Sequence, residues 1–296
     1  DRLVWIGDME PEVHSLLHLY GPIPQIEESI NFSEQSFPLP TWMNNMPTYS
    51  IWYLLIVYDV YTYNKDKAFV DRHIDYVQGV INQFNECVDE NGFLDETKYD
   101  VPLSMPYFID WPTEAEPEED KRSASVDLLK YTLPKVRDML LECGKTTLKL
   151  DNMLSKLNKY KTKAQSKKQL AALHYLVEKD DESYNTLIEG GAKGLSTFMS
   201  YYILTAIADR DLDLAINIMK EYYGGMLSRG ATTFWEDFDV EWLEGSGRID
   251  EITPDGLKDL HGDYGKYCYK GFRHSLCHGW SSGPVSFLYE NEEKIK

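Results

Sequence analysis

The chain has 296 residues, of which 43% are hydrophobic and 27% charged, a balance that is typical of a globular protein and excludes wholesale disorder. The formal net charge of −19 disfavours a nucleic acid as partner, because nucleic-acid binding depends on Lys and Arg side chains that neutralise phosphates. No apolar run reaches the ~18 residues that a membrane span needs. The four cysteines are scattered without metal-site spacing, so we expect free thiols and no metal or cofactor.

The first helix that the pattern predicts covers 47–63, which is apolar almost all round and therefore typical of a helix enclosed by others. An amphipathic helix is predicted next, from Asp66 to about 89. Residues 93–122 contain four prolines and an acidic patch, and they are expected to form a long irregular connection.

Further helices are predicted downstream, the first with Ser123 as its N-cap and with a kink or a break at Pro134. The others are expected at 146–160, 167–178, 183–190, 195–208, 212–227 and 275–290. Residues 230–263 are rich in glycine and acids and are predicted to be irregular. Strand signals are few, so the predicted fold class is all-α with about ten helices, and the alternation of apolar with amphipathic helices favours a double-layered helical barrel.

Two acidic segments stand in an aromatic and glycine-rich context, unlike the acids of ordinary helix faces. They are residues 1–8 (DRLVWIGD) and 230–239 (GATTFWEDFD). Hydrolysis of a glycosidic bond needs two carboxyl groups, and an acid such as Glu236 beside bulky aromatics can be partly desolvated, which favours catalytic use. By composition alone, a solvated acidic loop is the more frequent outcome.

Two other kinds of segment bear on chemistry. Residues 275–284 (SLCHGWSSGP) place His278 at the start of a helix among small residues, where the alternative to a binding role is a satisfied core histidine. Trp42 and Trp111 stand in non-helical segments, where a ring either stacks on a sugar or plugs the core beneath a loop. A Ser-His-Asp hydrolase is disfavoured, because the sequence has no Gly-x-Ser-x-Gly elbow.

Together these segments resemble the α-L-rhamnosidases of glycoside hydrolase family 78. Residues 1–8 are similar to that family's Glu-Arg-x-x-Trp-x-Gly-Asp segment, 109–111 to its Gly-Asp-Trp, 230–236 to its Gly-Ala-Thr-Thr-x-Trp-Glu and 275–278 to its Ser-x-Asn-His. The four occur in the family's order between residue 1 and about 290.

The resemblance implies an all-α (α/α)6 barrel and hydrolysis with inversion, with two carboxyls about 6.5–9.5 Å apart to admit a water. It implies Asp1 as general acid and Glu236 as general base. The partner is then a carbohydrate, a rhamnosylated glycoside or polysaccharide. The expected substrate-binding residues are Trp5, Asp8, Trp42, Asp110, Trp111, Trp235 and His278, with Trp42 the loosest match.

Two departures from the family's pattern leave alternatives open. Asp1 stands where the family has Glu, and a further acid that the family places a few residues upstream would fall before residue 1. Cys277 in place of Asn is a smaller change. The alternatives are another (α/α)6-barrel glycosidase, acting on glucosides or trehalose, and a sugar-binding relative without catalysis. Because the chain opens on Asp1 without Met, we expect residues 1–296 to be a single barrel domain, incomplete at its N-terminus, from a larger multidomain protein.

Overall fold

The structure is a computed structural model that describes residues 4–262 and 274–295. Within these ranges it contains α-helices, short 3₁₀ helices and two isolated β-bridges, and no strand. The chain forms two compact units. Unit 1 comprises Asp1–Ile109 and Glu116–Lys163, and unit 2 comprises Asp110–Ala115 and Ala164–Lys296. None of the described helices is long and apolar enough to cross a membrane.

Unit 1 is built around one apolar helix, α3 (Pro47–Asn64). Thirteen of its 18 residues are buried, and it packs against α1 (Ile6–Tyr20), α4 (Lys67–Cys87) and α5 (Glu118–Glu142). The apolar pattern of 47–63 therefore correctly predicted an enclosed helix. The described helices of this unit are α1 (Ile6–Tyr20), α2 (Pro24–Ser36), α3 (Pro47–Asn64), α4 (Lys67–Cys87), α5 (Glu118–Glu142) and α6 (Leu148–Leu157).

The sequence located α4 well and α5 less well. Asp66 caps α4 by accepting a hydrogen bond from the Ala68 N–H at 2.9 Å. Helix α5 begins at Glu118, directly after Pro117, so the prediction of Ser123 as N-cap is wrong. Three acids in the first turn favour this earlier start, because negative charge stabilises a helix N-terminus. The helix also continues through Pro134 to Glu142, and no break occurs there.

Unit 2 is arranged around α9, which contacts α7, α8, α10 and α11. The described helices of this unit are α7 (Lys168–Glu178), α8 (Asp181–Ile188), α9 (Ser200–Ala208), α10 (Leu212–Ser228), α11 (Gly283–Glu290) and α12 (Glu292–Ile295). Helix α9 starts five residues later than the apolar pattern predicted, at Ser200 instead of 195. The predicted helix 275–290 starts only at Gly283, after a 3₁₀ turn at Gly279–Ser282.

The described cysteines are free thiols, as expected. Cys87 is buried, Cys143 is half-buried and Cys277 is exposed. Cys268 lies outside the described residues. Burial raises the pKa of the Cys87 thiol to about 12, so this thiol is protonated and unreactive at neutral pH.

Candidate active site

The segment that carries Glu236 leaves helix α10 through a glycine that its geometry requires. Gly230 has φ of +90°, and a Cβ there would overlap the carboxyl of Asp250. Only glycine adopts this conformation and leaves this space without strain. The preceding residue, Arg229, holds the loop in place, because its guanidinium donates a hydrogen bond to the Leu243 carbonyl at 2.7 Å. The first glycine of the Gly-Ala-Thr-Thr segment is thus a structural necessity.

Two backbone hydrogen bonds join the Glu236 segment to the segment before α11. The Glu236 N–H donates to the Ser275 carbonyl at 2.9 Å, and the His278 N–H donates to the Phe234 carbonyl at 2.9 Å. This pairing explains why residues 275–278 do not join the following helix. The Ser275 N–H also donates to the Glu236 carboxylate, at 2.6 Å to Oε2. A backbone donor therefore fixes the orientation of the carboxylate.

The backbone around Glu236 is held by three further side chains. The Glu236 carbonyl accepts from the Thr197 hydroxyl at 2.5 Å and from the Trp280 indole N–H at 2.9 Å. The Ser281 hydroxyl donates to the carbonyl of Trp235. Glu236 itself is only 4% exposed. The solvated acidic loop that composition favoured is therefore not what forms.

The ring of Trp235 has no exposed surface and packs edge-on against Phe238, with ring centroids 5.7 Å apart. We expected this ring to contact substrate. Because the ring belongs to the core beneath the loop, it has no face to offer to a sugar. Its role in the motif is to anchor the neighbouring glutamate from the inside.

Asp110 is also buried, at 2% exposure. Its Oδ1 accepts from the Trp111 N–H at 2.8 Å, and its Oδ2 accepts from the Ser196 hydroxyl. Burial raises the pKa of Asp110 to about 7, against the effect of these donors. Both oxygens of Asp110 thus accept hydrogen bonds from within unit 2, and its contact with substrate stays a prediction. The ring of Trp111, in contrast, is half-buried and keeps some exposed surface.

Asp237, which no sequence pattern singled out, adds a third acid to this region. Burial, together with the charge of Asp110, raises the pKa of Asp237 to about 7. Its Oδ2 is inaccessible to solvent and accepts no hydrogen bond within the described part of the chain. Burial and the neighbouring Asp110 carboxyl thus both favour the protonated form of Asp237.

His278 lies beside a cavity of about 550 Å³. Its ring stands edge-on to Trp280, with centroids 4.7 Å apart, and the residue is 8% exposed. Most of the cavity wall is apolar. The lining residues come from α10, from the loop before Glu236 and from the segment after Ser275: Tyr223, Met226, Leu227, Ala231, Thr232, Thr233, Phe234, Cys277, His278 and Gly279.

Unit 1 brings Trp5 and Asp8 together through Tyr49. The half-buried Trp5 ring stands edge-on to the Tyr49 ring at 6.5 Å, and the Tyr49 hydroxyl donates to Asp8 Oδ2 at 3.4 Å. A Cβ at Gly7 would overlap the Tyr49 ring, so the glycine admits that ring. Asn44 braces the backbone on both sides of Trp5, because its side chain accepts from the N–H of residue 6 and donates to the carbonyl of residue 4, each at 2.9 Å.

Trp42 has no exposed surface. Its ring packs against Phe84 at 4.8 Å and Tyr99 at 6.1 Å between centroids. The expectation that Trp42 forms an aromatic wall for a sugar is therefore not met, and the alternative of a tryptophan that plugs the core is confirmed. Asp1, the expected general acid, lies outside the described residues.

Solved structures that share this fold include rhamnosidases from three organisms. The GH78 family rhamnosidase of Bacillus sp. GL1 has 19% identity and a TM-score of 0.66, over 97% of this chain and 32% of its own. The Klebsiella oxytoca rhamnosidase, solved with rhamnose bound, has 18% identity and a TM-score of 0.68, over 99% of this chain and 59% of its own. The α-L-rhamnosidase of Dictyoglumus thermophilum has 14% identity and a TM-score of 0.61, over 98% of this chain and 34% of its own.

No family model and no curated protein matches the sequence. The chain spans between about a third and three-fifths of the length of these solved structures. At 14–19% identity the likeness shows the fold alone. The predicted all-α class is confirmed, and the fold of this chain is that of the helical-barrel domains of the rhamnosidases, which it resembles along nearly its whole length.

Proposed function

We propose that this chain carries the catalytic residues of an inverting glycoside hydrolase that releases terminal α-L-rhamnose from glycosides. The observation that supports this most directly is the fixed carboxylate of Glu236. It is held by a backbone N–H at 2.6 Å and lies in a segment similar to the family's Gly-Ala-Thr-Thr-x-Trp-Glu. A general base must be placed within hydrogen-bond reach of its water, and such rigid support is what that task requires.

In the proposed reaction, Glu236 accepts a proton from a water that attacks the anomeric carbon. Asp1 gives a proton to the departing glycosidic oxygen on the opposite face of the sugar. The glycosidic C–O bond breaks as the new C–O bond forms, so the sugar is released with inverted configuration. Because the Ser275 N–H already donates a hydrogen bond to Oε2 of Glu236, the water is expected to bind to Oε1.

The proposed sugar contacts are Trp5, Asp8, Trp111 and His278. The first two lie together around Tyr49 in unit 1, and the other two lie near Asp110 and Glu236 in unit 2. A neutral deoxy sugar suits a protein with a net charge of −19 better than an anionic sugar does. The rhamnose bound to the Klebsiella oxytoca enzyme makes this sugar the first to test.

The test is hydrolysis of an aryl α-L-rhamnoside by the protein that carries this chain, compared with its Glu236→Gln variant. Glutamine keeps the size of the side chain and can still accept from the Ser275 N–H, so the fold is preserved while the base is lost. We expect kcat to fall about 10²–10⁴-fold. Proton NMR of the first turnovers should show β-L-rhamnose as the initial product.

A substrate panel separates the alternatives. Turnover of an α-D-glucoside or of trehalose, but of no rhamnoside, would favour a different barrel glycosidase. Rhamnose binding by calorimetry without any turnover would favour a sugar-binding relative. Full activity of Glu236→Gln would remove Glu236 from the reaction.

A further inference from the structure

The hydrogen bonds of Asp110 connect it to the segment that supports Glu236. The residue is 2% exposed, and its carboxyl accepts hydrogen bonds from the Trp111 N–H and the Ser196 hydroxyl, while the Met199 backbone N–H favours its charged form. Every one of these donors belongs to unit 2. Two of them, Ser196 and Met199, lie in the short non-helical segment just before α9, so Asp110 holds this segment in place.

The same segment reaches Glu236. Ser196 and Thr197 are consecutive, and while the Ser196 hydroxyl binds the Asp110 carboxyl, the Thr197 hydroxyl donates to the Glu236 carbonyl at 2.5 Å. The Cα atoms of consecutive residues such as Ser196 and Thr197 lie about 3.8 Å apart. A single peptide unit therefore separates the hydrogen bond to Asp110 from the hydrogen bond to Glu236. Both hydroxyl residues are at least 95% buried, which leaves no water to replace a lost partner.

We propose that Asp110 is a positioning residue for Glu236. Its carboxyl fixes the Ser196–Thr197 segment, and Thr197 in turn fixes the backbone from which the catalytic carboxylate projects. This inference rests on the proposed role of Glu236 as general base. A residue that acts in this way affects the bond-breaking step and leaves ground-state sugar binding unchanged, whereas a residue that contacts the sugar affects binding directly.

Three substitutions separate geometry from charge. Asp110→Ala removes all of the hydrogen bonds of this carboxyl, and Ser196→Ala removes only the hydrogen bond from the Ser196 hydroxyl. Asp110→Asn keeps the geometry, because its carbonyl oxygen can accept from the Trp111 N–H and its NH₂ can donate to the Ser196 oxygen. Ser228→Ala is the matched control. Its hydroxyl donates to the Gly225 carbonyl at 2.7 Å within α10, in the same unit.

In rhamnoside hydrolysis, Asp110→Ala and Ser196→Ala should each lower kcat about tenfold or more, with KM changed less than about twofold. Asp110→Asn should retain kcat within about threefold of the wild type, and Ser228→Ala should retain it fully. If the alanine variants raise KM and keep kcat, Asp110 contacts the sugar and the proposal is overturned. Ser196→Ala keeps the test informative if Asp110→Ala fails to fold.

A second readout needs no substrate. The Ser275 amide donates to the Glu236 carboxylate, so its hydrogen–deuterium exchange reports whether the carboxylate is in place. Exchange at this amide should accelerate about tenfold in Asp110→Ala and Ser196→Ala, and stay unchanged in Asp110→Asn and Ser228→Ala. Unchanged exchange in the alanine variants would overturn the positioning role even if the protein is an active rhamnosidase. Faster exchange in a protein that hydrolyses no rhamnoside would retain the positioning role and reject the proposed function.

Discussion

Thr197 and Glu236 are joined by a hydrogen bond of 2.5 Å from the threonine hydroxyl to the glutamate's backbone carbonyl, across 39 residues of sequence. The same carbonyl accepts the indole N–H of Trp280 at 2.9 Å. Thr197 is 3% and Trp280 is 5% exposed, so water has little access to this carbonyl. The backbone of the proposed base therefore depends on two buried side-chain donors, each of which can be removed separately.

Thr197→Val should lower the free energy of unfolding by ~1–2 kcal/mol, because the side chain keeps its shape and loses the hydroxyl donor. Thr197→Ser keeps the hydroxyl and should cost markedly less than the valine variant. Urea unfolding of the two variants beside the wild type measures the difference. Equal stabilities of the serine and valine variants would show that the hydroxyl does not support Glu236.

Trp42→Ala should destabilise unit 1 by ~3–5 kcal/mol, because it removes a fully buried ring that packs on Phe84 and Tyr99. Trp42→Phe should lose less, since a smaller ring still fills part of the space. Rhamnose affinity of the folded variants, measured by calorimetry, should match that of the wild type. If Trp42→Ala is stable but no longer binds rhamnose, Trp42 contacts the sugar and is not merely a core residue.

Glu96 should give unit 1 a stability that depends on pH. The residue is fully buried, and this burial raises its pKa to about 8 although the Tyr107 N–H donates to its carboxyl at 2.5 Å. Between the unfolded pKa of about 4.5 and the folded value, the folded state binds more protons than the unfolded state. Stability therefore falls as pH rises through this window, by at most ~1.4 kcal/mol per pH unit, and levels off above it.

Glu96→Gln removes this titration, so the free energy of unfolding of the variant should depend less on pH between about pH 5 and pH 8. The upper limit of this range is the folded pKa of about 8. Urea unfolding at intervals across this range provides the comparison. Asp255→Asn, at an exposed position, is the control and should follow the wild-type profile. A slope in Glu96→Gln as steep as that of the wild type would assign the pH dependence to other groups.

Two helical glycines should respond to alanine with opposite signs. A Cβ at Gly283 would lie 2.8 Å from the Ser200 hydroxyl and 2.9 Å from the backbone nitrogen of Tyr201, so Gly283→Ala should force α11 away from α9 and destabilise unit 2 by ~1–3 kcal/mol. A Cβ at Gly224 would meet no atom within 4 Å, and alanine there should stabilise α10 by ~0.5–1 kcal/mol. Thermal unfolding of both variants tests the pair, and a neutral Gly283→Ala would show that α11 can shift without cost.

Helices whose apolar residues recur with helical spacing could be predicted from the sequence, whereas helices that lack this pattern could not. The uniform hydrophobicity of α3 and the Asp66 cap of α4 are local signals, so both elements were found with bounds correct within about one to two residues. Helices α1 and α2 were not predicted. Pro11 lies inside α1, where a proline normally ends or kinks a helix, so tertiary packing overrides that local signal. Pro24 is the first residue of α2, a position where proline is favoured, and it therefore marks a helix start that the sequence pattern did not reveal.

Some features of the candidate site could likewise be predicted from the sequence, and others could not. The setting of Glu236 was visible because its motif is contiguous, and Gly230 explains part of that motif by its backbone conformation. The support from Ser196 and Thr197 was hidden, because their hydrogen bonds span 86 and 39 residues and exist only after folding. Which way an aromatic ring points was equally hidden, so Trp42 and Trp235 appeared as sugar platforms although both lie in the core.

The donor that orients the Glu236 carboxylate is the main-chain amide of Ser275. A peptide N–H is present in every amino acid except proline, so substitutions at position 275 that replace the side chain alone leave this anchor in place. Any residue other than proline at position 275 can therefore supply the donor that orients the proposed base. Sequence divergence around a catalytic acid is tolerated most readily where its support is drawn from the backbone.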